Sequence, residues 1–177
     1  MSSPETTENG LFEGLFIRAL DVSGPLADEL KAAGFDRQRP RPKYTSEVFR
    51  DCLEIARRHR FPELSREKGL HELGRAFFGG FRQTILGSVM TTALSVLGPR
   101  TLLTKIPGRL KRLRSDINAE LQKKSDKEFV LSVQDPVEVG DFFAGALEEG
   151  LRLAGATDLE LTSQPRPGGW SLNILLK

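Results

Sequence analysis

The stretch that decides the fold is residues 117–133, INAELQKKSDKEFVLSV. Apolar residues recur at every second position on both sides of its polar centre, residues 123–127. Side chains of a β-strand point alternately to its two faces, so this period gives each flanking segment one apolar face. The stretch therefore predicts a β-hairpin whose apolar face needs a cover.

The carboxyl end of the chain predicts a second hairpin. Leu159 and Leu161 begin one strand, residues 165–169 (PRPGG) form a turn, and apolar residues alternate again from Trp170 to Leu176. Between the hairpins, an aspartate N-cap followed by a proline begins a helix that a glycine ends. The second half of the chain is therefore predicted as β-β-α-β-β.

The first half is predicted to be helical, with segments at Pro25–Ala33, Ser46–Arg58 and Ser65–Leu97. Beyond Ile85 the last segment carries apolar residues all around its axis, which indicates a helix buried on every side. Its glycines near positions 79, 80 and 87 are the expected break points. The fold class that follows is α+β, a helical N-terminal half packed on a four-stranded antiparallel sheet of two hairpins.

Residues 1–9, MSSPETTEN, are polar and aperiodic, so we expect a disordered tail before a single α+β domain over residues 10–177. The formal net charge of +2 is too near balance to indicate a nucleic-acid or membrane protein. A single cysteine excludes an internal disulfide, and neither a signal peptide nor a membrane-spanning stretch is recognisable. We expect a cytoplasmic protein.

Two segments carry a resemblance to a known family. Residues 70–87, LHELGRAFFGGFRQTILG, followed by Leu97–Arg100 (LGPR), resemble a large paralogous family of uncharacterised proteins found mainly in myxobacteria. Residues 11–16 (LFEGLF) and the Phe61–Pro62 pair fit the same family. The resemblance spans nearly the whole chain and implies no particular activity.

A more distant resemblance concerns the order of elements. An LGR-bearing helix, a hairpin, a helix with the sequence DFFAGALEEGL (residues 141–151) and a terminal hairpin follow one another. This order is similar to the superfamily of 4-vinyl reductase domains, haem nitric-oxide-binding domains and the TRAPP tethering subunits of Golgi transport. The resemblance implies a small molecule or acyl chain held between helices and sheet, or a dimeric scaffold.

Haem itself is not expected, because the residues that would hold it are missing. The resemblance implies a proximal histidine and a Tyr-x-Ser-x-Arg motif, whereas residues 44–48 read YTSEV and lack the arginine. His59 lies in a basic run, and His71 falls on the opposite side of its helix from a ridge of small residues that includes Ala76 and Gly80. We therefore predict no cofactor.

Enzyme motifs are also missing. His71-Glu72 begins like the zinc-protease motif HExxH, but Arg75 stands where the second histidine is needed. Two histidines and one cysteine do not make a usual structural zinc site, and the sequence has no GxSxG, GxxxxGK[ST] or GxGxxG motif. We predict neither a bound metal nor catalytic residues, and no enzyme activity.

The leading hypothesis is a non-enzymatic sensor or adaptor domain that binds a small hydrophobic ligand between helices and sheet. The predicted pocket residues on the central helix are Phe77, Gly80, Phe81 and Thr84. Those on the sheet are Phe129, Leu131, Leu172 and Ile174. A small-residue ridge more often serves tight helix packing than a ligand, and a tryptophan placed like Trp170 more often fills the end of the core than stacks on a ligand.

Two alternatives use the surface of the domain. The first is a protein-interaction scaffold, either a homodimer or a complex with another partner. The second is an anionic-ligand or nucleotide binder, such as a cyclic dinucleotide binder, because arginine grips phosphate or carboxylate through two hydrogen bonds. Its predicted surface consists of two groups: Arg37, Arg39 and Arg41, then Arg100, Arg109, Arg112 and Arg114. Without interleaved aromatic residues these groups also fit a solvated basic face, and we do not expect nucleic-acid binding.

Overall fold

The computed structural model describes residues 3–177. Its helices are α1 (Asn9–Phe12), α2 (Gly24–Ala32), α3 (Ser46–Arg60), α4 (Arg66–Phe81), α5 (Ile85–Leu97), α6 (Pro99–Leu113) and α7 (Gly140–Leu153), with a π-helical segment, Glu13–Ala19, directly after α1. Its strands are β1 (Glu5–Glu8), β2 (Lys43–Thr45), β3 (Asn118–Lys123), β4 (Glu128–Gln134), β5 (Leu159–Arg166) and β6 (Gly169–Leu176).

The carboxyl-terminal strands form the predicted four-stranded sheet. The hairpins β3–β4 and β5–β6 are joined through β4 and β6, so the strand order is β3-β4-β6-β5 and every pair is antiparallel. Leu131 at the centre of β4 lies opposite Leu121 and Leu172. Its side chain is buried, because alternate positions of each strand turn one apolar face toward the helices. The predicted α+β class and the two hairpins are confirmed.

Helices α4 and α7 cross at a pair of glycines. A methyl group added to Gly74 would lie 1.9 Å from the carbonyl oxygen of Phe142, and one added to Gly145 would lie 2.0 Å from that of His71. Gly80 is packed equally closely, because a methyl group added to it would lie 2.0 Å from the carbonyl oxygen of Gly14 in the π-helical segment. Close helix packing therefore accounts for the small residue at position 80 of the predicted ridge.

The long helix predicted at Ser65–Leu97 is two helices. Residues 82–84 separate α4 from α5, and the side chain of Thr84 caps α5 by accepting a hydrogen bond from the amide of Gly87 at 3.0 Å. The prediction that this segment is buried on every side is wrong, because Ile85 is 88% exposed and Val96 is 84% exposed. Only one face of α5 packs on the domain, and the other carries apolar side chains into solvent.

The predicted disordered tail is also corrected. Strand β1 pairs with β2 in a small antiparallel sheet, and the amide of Asn9 donates to the carbonyl of Pro42 at 3.0 Å. Sheet pairing satisfies these backbone groups whatever the polarity of the side chains, so composition gives no sign of it. Met1 and Ser2, the first part of the predicted tail, lie outside the described residues. Across residues 3–177, no helix combines the length and the apolar character needed to cross a bilayer.

Candidate ligand pocket

An apolar cavity of about 300 Å³ lies between four helices and the sheet. Helices α4, α5, α6 and α7 form its sides, and β4 and β6 close it from below. Small residues on α7, Ala146 and Gly150, face the cavity and leave the space that larger side chains would fill. A volume near 300 Å³ with mostly apolar walls is at the lower end of the range for small-molecule sites.

The structure places half of the predicted pocket residues in this cavity. Four of them line it: Phe77, Phe81, Leu131 and Leu172. The other four, which are buried but do not line it, are Gly80, Thr84, Phe129 and Ile174.

Each of those four has another contact. Gly80 packs against the π-helical segment, and Thr84 caps α5. Phe129 and Ile174 lie opposite one another in the β4–β6 pair, two residues beyond the pair that lines the cavity. The sheet wall of the cavity is therefore shorter than the sequence alternation predicts.

Aromatic side chains form the end wall of the cavity. Phe143 on α7 and Trp170 on β6 stack with ring centroids 6.2 Å apart, and both line the cavity. The indole of Trp170 donates to Asp135 Oδ2 at 3.1 Å, so its ring is fixed in the core. Trp170 therefore fills the end of the core, as one of its two interpretations predicts, and presents a rigid apolar surface to the cavity.

Sequence reasoning missed the contribution of α5 and α6. Leu94 on α5 and Leu102, Ile106 and Leu110 on α6 line the cavity. The α6 residues are spaced four apart, which is a helical pattern. Pro107 lies within that pattern and would normally indicate a break, but α6 continues through it. The helical spacing of these leucine and isoleucine residues is the signal that would have found them.

Two of the predicted anion-binding arginines also line the cavity. Arg109 and Arg112 are one turn apart on α6, Arg109 partly buried and Arg112 exposed. Within residues 3–177, no acidic side chain forms an ion pair with either guanidinium. Burial, with the charge of Arg112 as a second cause, lowers the pKa of Arg109 from its ordinary value.

The assignment of Arg114 to an anion-binding surface is wrong. Its side chain is completely buried and pairs with Asp116 at 2.6 Å and Asp135 at 2.9 Å. A guanidinium that is desolvated and already bound to two carboxylates has no free donor edge for a ligand. Arg114 is a structural residue.

The remaining predicted arginines have contacts unrelated to the cavity. Arg37 donates to the carbonyl of Val22 at 2.9 Å. Arg41 pairs with Glu5 at 3.1 Å and lies over the ring of Tyr44, 4.9 Å from its centroid. Arg39 and Arg100 are exposed and do not line the cavity. The two predicted arginine groups do not form one anion site.

The residues of the cavity do not fit haem. Among its described lining residues there is no histidine, cysteine or tyrosine, and Met90 supplies the single sulfur. Haem iron in proteins is held by histidine, thiolate or tyrosinate, and methionine serves together with histidine. Both histidines bond elsewhere, His59 to Glu29 at 2.8 Å and His71 to Glu148 at 2.7 Å.

The His71–Glu148 contact belongs to a surface network between α4 and α7. Arg152 also bonds Glu148, at 3.0 Å, and Arg75 bonds Glu149 at 2.8 Å. The pKa of Glu148 is lowered, since hydrogen bonds from Arg152 and His71 outweigh the opposing effect of burial. Within residues 3–177, no three histidine, cysteine or carboxylate side chains are grouped to hold a metal ion. The network joins two helices and lies outside the cavity lining.

The arrangement of four helices on this sheet is the fold of H-NOX domains. An H-NOX protein from S. oneidensis in its Fe(II)NO ligation state is 13% identical to the chain, with a TM-score of 0.72 over 97% of this chain and 99% of that one. An unliganded Fe(II) H-NOX protein from K. algicida is 12% identical, with a TM-score of 0.66 over 94% of both chains. An oxygen-binding H-NOX domain related to soluble guanylate cyclases is 13% identical, with a TM-score of 0.62 over 94% of this chain and 89% of that one. Identities this low establish a shared fold and nothing further.

The chain belongs to the family described as Protein of unknown function (DUF2378), which matches residues 5–169. No curated protein matches the chain significantly. The predicted membership of an uncharacterised family is therefore confirmed. Of the predicted superfamily, the structures confirm one point, namely that the chain shares the fold of the H-NOX domains. The myxobacterial source, the 4-vinyl reductase branch and the tethering-subunit branch stay predictions.

Proposed function

We propose that the protein is a non-enzymatic sensor domain that binds a small hydrophobic molecule in the cavity between α4, α5, α6, α7 and the sheet. The observation that carries the proposal is the cavity itself, about 300 Å³ with apolar walls drawn from six elements of the fold. The cavity is partly open to solvent, and apolar surface left in contact with water costs free energy that a bound apolar molecule would recover.

The fold supports a sensor role. Of the H-NOX proteins of the same fold, the one from S. oneidensis was solved in an Fe(II)NO ligation state, and the one related to soluble guanylate cyclases binds oxygen. The present chain has the same architecture, but none of the described residues that line its cavity is a histidine that could hold iron. We therefore propose that its ligand is an organic molecule held by packing.

Dye binding tests the proposal. N-phenyl-naphthylamine, an uncharged dye that fluoresces in apolar surroundings, should bind the protein with one site per chain. Ala146→Phe places an aromatic ring in the cavity and should abolish the fluorescence increase. Ala32→Phe adds the same ring to an exposed position of α2 and is the matched control. Equal dye binding by both variants would place the dye outside the cavity and refute the proposal.

The scaffold alternative stays a prediction. Light scattering at high protein concentration tests its homodimer form, because a strictly monomeric chain would exclude self-association. The nucleotide alternative is weakened by the structure, since Arg114 is buried and Arg37 and Arg41 already bond within the chain.

A further inference from the structure

The cavity has one polar edge, and that edge is positively charged. Arg109 and Arg112 are the charged side chains among its described lining residues, and they lie one helical turn apart. Residues 73–115, which include α5, α6 and most of α4, contain no aspartate or glutamate. Two adjacent guanidinium groups beside an apolar cavity therefore have no acidic neighbour along this part of the chain.

An arrangement of this kind favours an anion. Arg109 is partly buried, and both burial and the neighbouring Arg112 lower its pKa. A partly desolvated charge next to a like charge costs free energy, and a bound anion would recover it. Guanidinium groups bind carboxylate through two parallel hydrogen bonds, which also fixes the orientation of the bound molecule.

We propose that the ligand is a single-chain amphiphile whose anionic head group is held by Arg109 and Arg112 and whose apolar tail fills the cavity. This inference rests on the proposed function and specifies its ligand. The other walls are mostly apolar side chains such as Phe81, Leu94 and Leu147, which offer no hydrogen-bond partners for the polar edges of a sugar or a nucleobase. The cavity volume suits a chain of medium length.

Calorimetric titration with decanoate and decanol tests the proposal, since the two probes share a tail and differ in the charge of the head group. Decanoate is used below its micelle concentration. We expect the wild-type protein to bind one decanoate per chain at least about tenfold more tightly than decanol, because charge-assisted hydrogen bonds contribute that much. Arg109→Gln and Arg112→Gln should each weaken decanoate binding about tenfold and leave decanol binding unchanged.

Arg100→Gln is the matched control, because it removes the same charge from an exposed position of the same helix outside the cavity. Its decanoate affinity should equal that of the wild type. Arg109→Lys keeps the charge but loses the planar fork, so its affinity for decanoate should be intermediate. This variant provides the test if Arg109→Gln does not fold.

The outcomes separate this inference from the proposed function. Equal affinity for decanoate and decanol, or an equal loss in Arg100→Gln and Arg109→Gln, overturns the head-group assignment but leaves the dye-binding cavity standing. Failure of the dye to bind refutes the cavity as a ligand site altogether. Sedimentation of the protein with phosphatidylglycerol vesicles without decanoate binding would overturn the assignment in favour of a membrane surface.

Discussion

Arg114 and Asp135 form an ion pair in which Nη1 and Oδ1 lie 2.9 Å apart and both side chains are completely buried. The second carboxylate oxygen of Asp135 accepts from the amide of Val139 at 3.0 Å and from the indole of Trp170 at 3.1 Å. One carboxylate thus connects the end of α6, the approach to α7 and the start of β6. The wall of the ligand cavity at Trp170 depends on this group.

Asp135→Ala should lower the free energy of unfolding by about 3–5 kcal/mol, because it removes one of the two carboxylate partners of the buried Arg114 and leaves the indole N–H of Trp170 without its acceptor. Urea unfolding followed by circular dichroism measures the change. Asp126→Ala removes the partner of Lys123 in an exposed ion pair and should leave the unfolding midpoint unchanged. Equal midpoints for the two variants would show that the buried ion pair contributes no more to the free energy of unfolding than the exposed one.

Gly74→Ala and Gly79→Ala should change stability in opposite directions although both lie in α4. The added methyl at position 74 meets the backbone of α7, which should cost about 1–3 kcal/mol or more. Nothing lies within 4 Å of the methyl at position 79, so the better helix propensity of alanine should stabilise the protein by up to about 1 kcal/mol. Thermal unfolding compares them, and a change of the same sign in both would contradict the glycine crossing.

Cys52 should be unreactive in the folded protein. Burial, with the charge of Asp51 as a second cause, raises the pKa of its thiol to about 12. At pH 8 the thiolate would then be about one part in ten thousand, and the thiolate is the nucleophile. Iodoacetamide labelling followed by mass spectrometry should be far slower in buffer than in urea, where the thiol is exposed. Equal rates would mean that this part of the core opens readily.

Added haem should not form a stoichiometric complex with a ligand-bound iron. Among the described residues that line the cavity, Met90 is the single candidate iron ligand, and His59 and His71 bond to glutamates outside the lining. Absorbance titration should show the spectrum of free haem, identical in wild type and in His71→Gln. A sharp Soret band that saturates at one haem per chain and is lost in Met90→Leu would contradict this reading of the cavity.

The sheet could be predicted from sequence because its signal is local. Alternation over residues 117–133 and 159–176 sets which side chains face the core, and a short turn in each hairpin sets the pairing. Such patterns can be recognised from neighbouring residues alone. The helix between the hairpins is also indicated by the sequence, but its predicted start is wrong. Helix α7 begins at Gly140, and Asp135 accepts from the amides of Val137 and Val139 ahead of the helix and does not cap it.

The behaviour of α5 could not be predicted in this way. Its sequence, ILGSVMTTALSVL, lacks charge, and an uncharged helix normally indicates complete burial. Which face is covered depends on where α6 and α7 lie, and this is a matter of tertiary packing. The same limitation hid the cavity, since Leu94 and Ile106 are far from Leu131 in the sequence.

The arginines show the limit for charged residues. Arg109, Arg112 and Arg114 look alike in the sequence, yet one is partly buried at the cavity, one is exposed and one is enclosed by two carboxylates. Arg109 and Arg112 lie one turn apart on α6, whereas Arg114 follows the last residue of that helix in extended backbone and is buried, so composition alone cannot assign all three to one surface. Their roles depend on which of them has carboxylate partners in the folded structure.

The first strand has a practical consequence. The carbonyl of Thr6 accepts a hydrogen bond from the amide of Ser115 at 2.9 Å, directly after the buried Arg114. A protease that cuts the chain directly after strand β1 would therefore remove the backbone partner of Ser115 and the bridge between Thr7 and Arg114. Removal of this polar first segment should therefore destabilise the carboxyl end of α6.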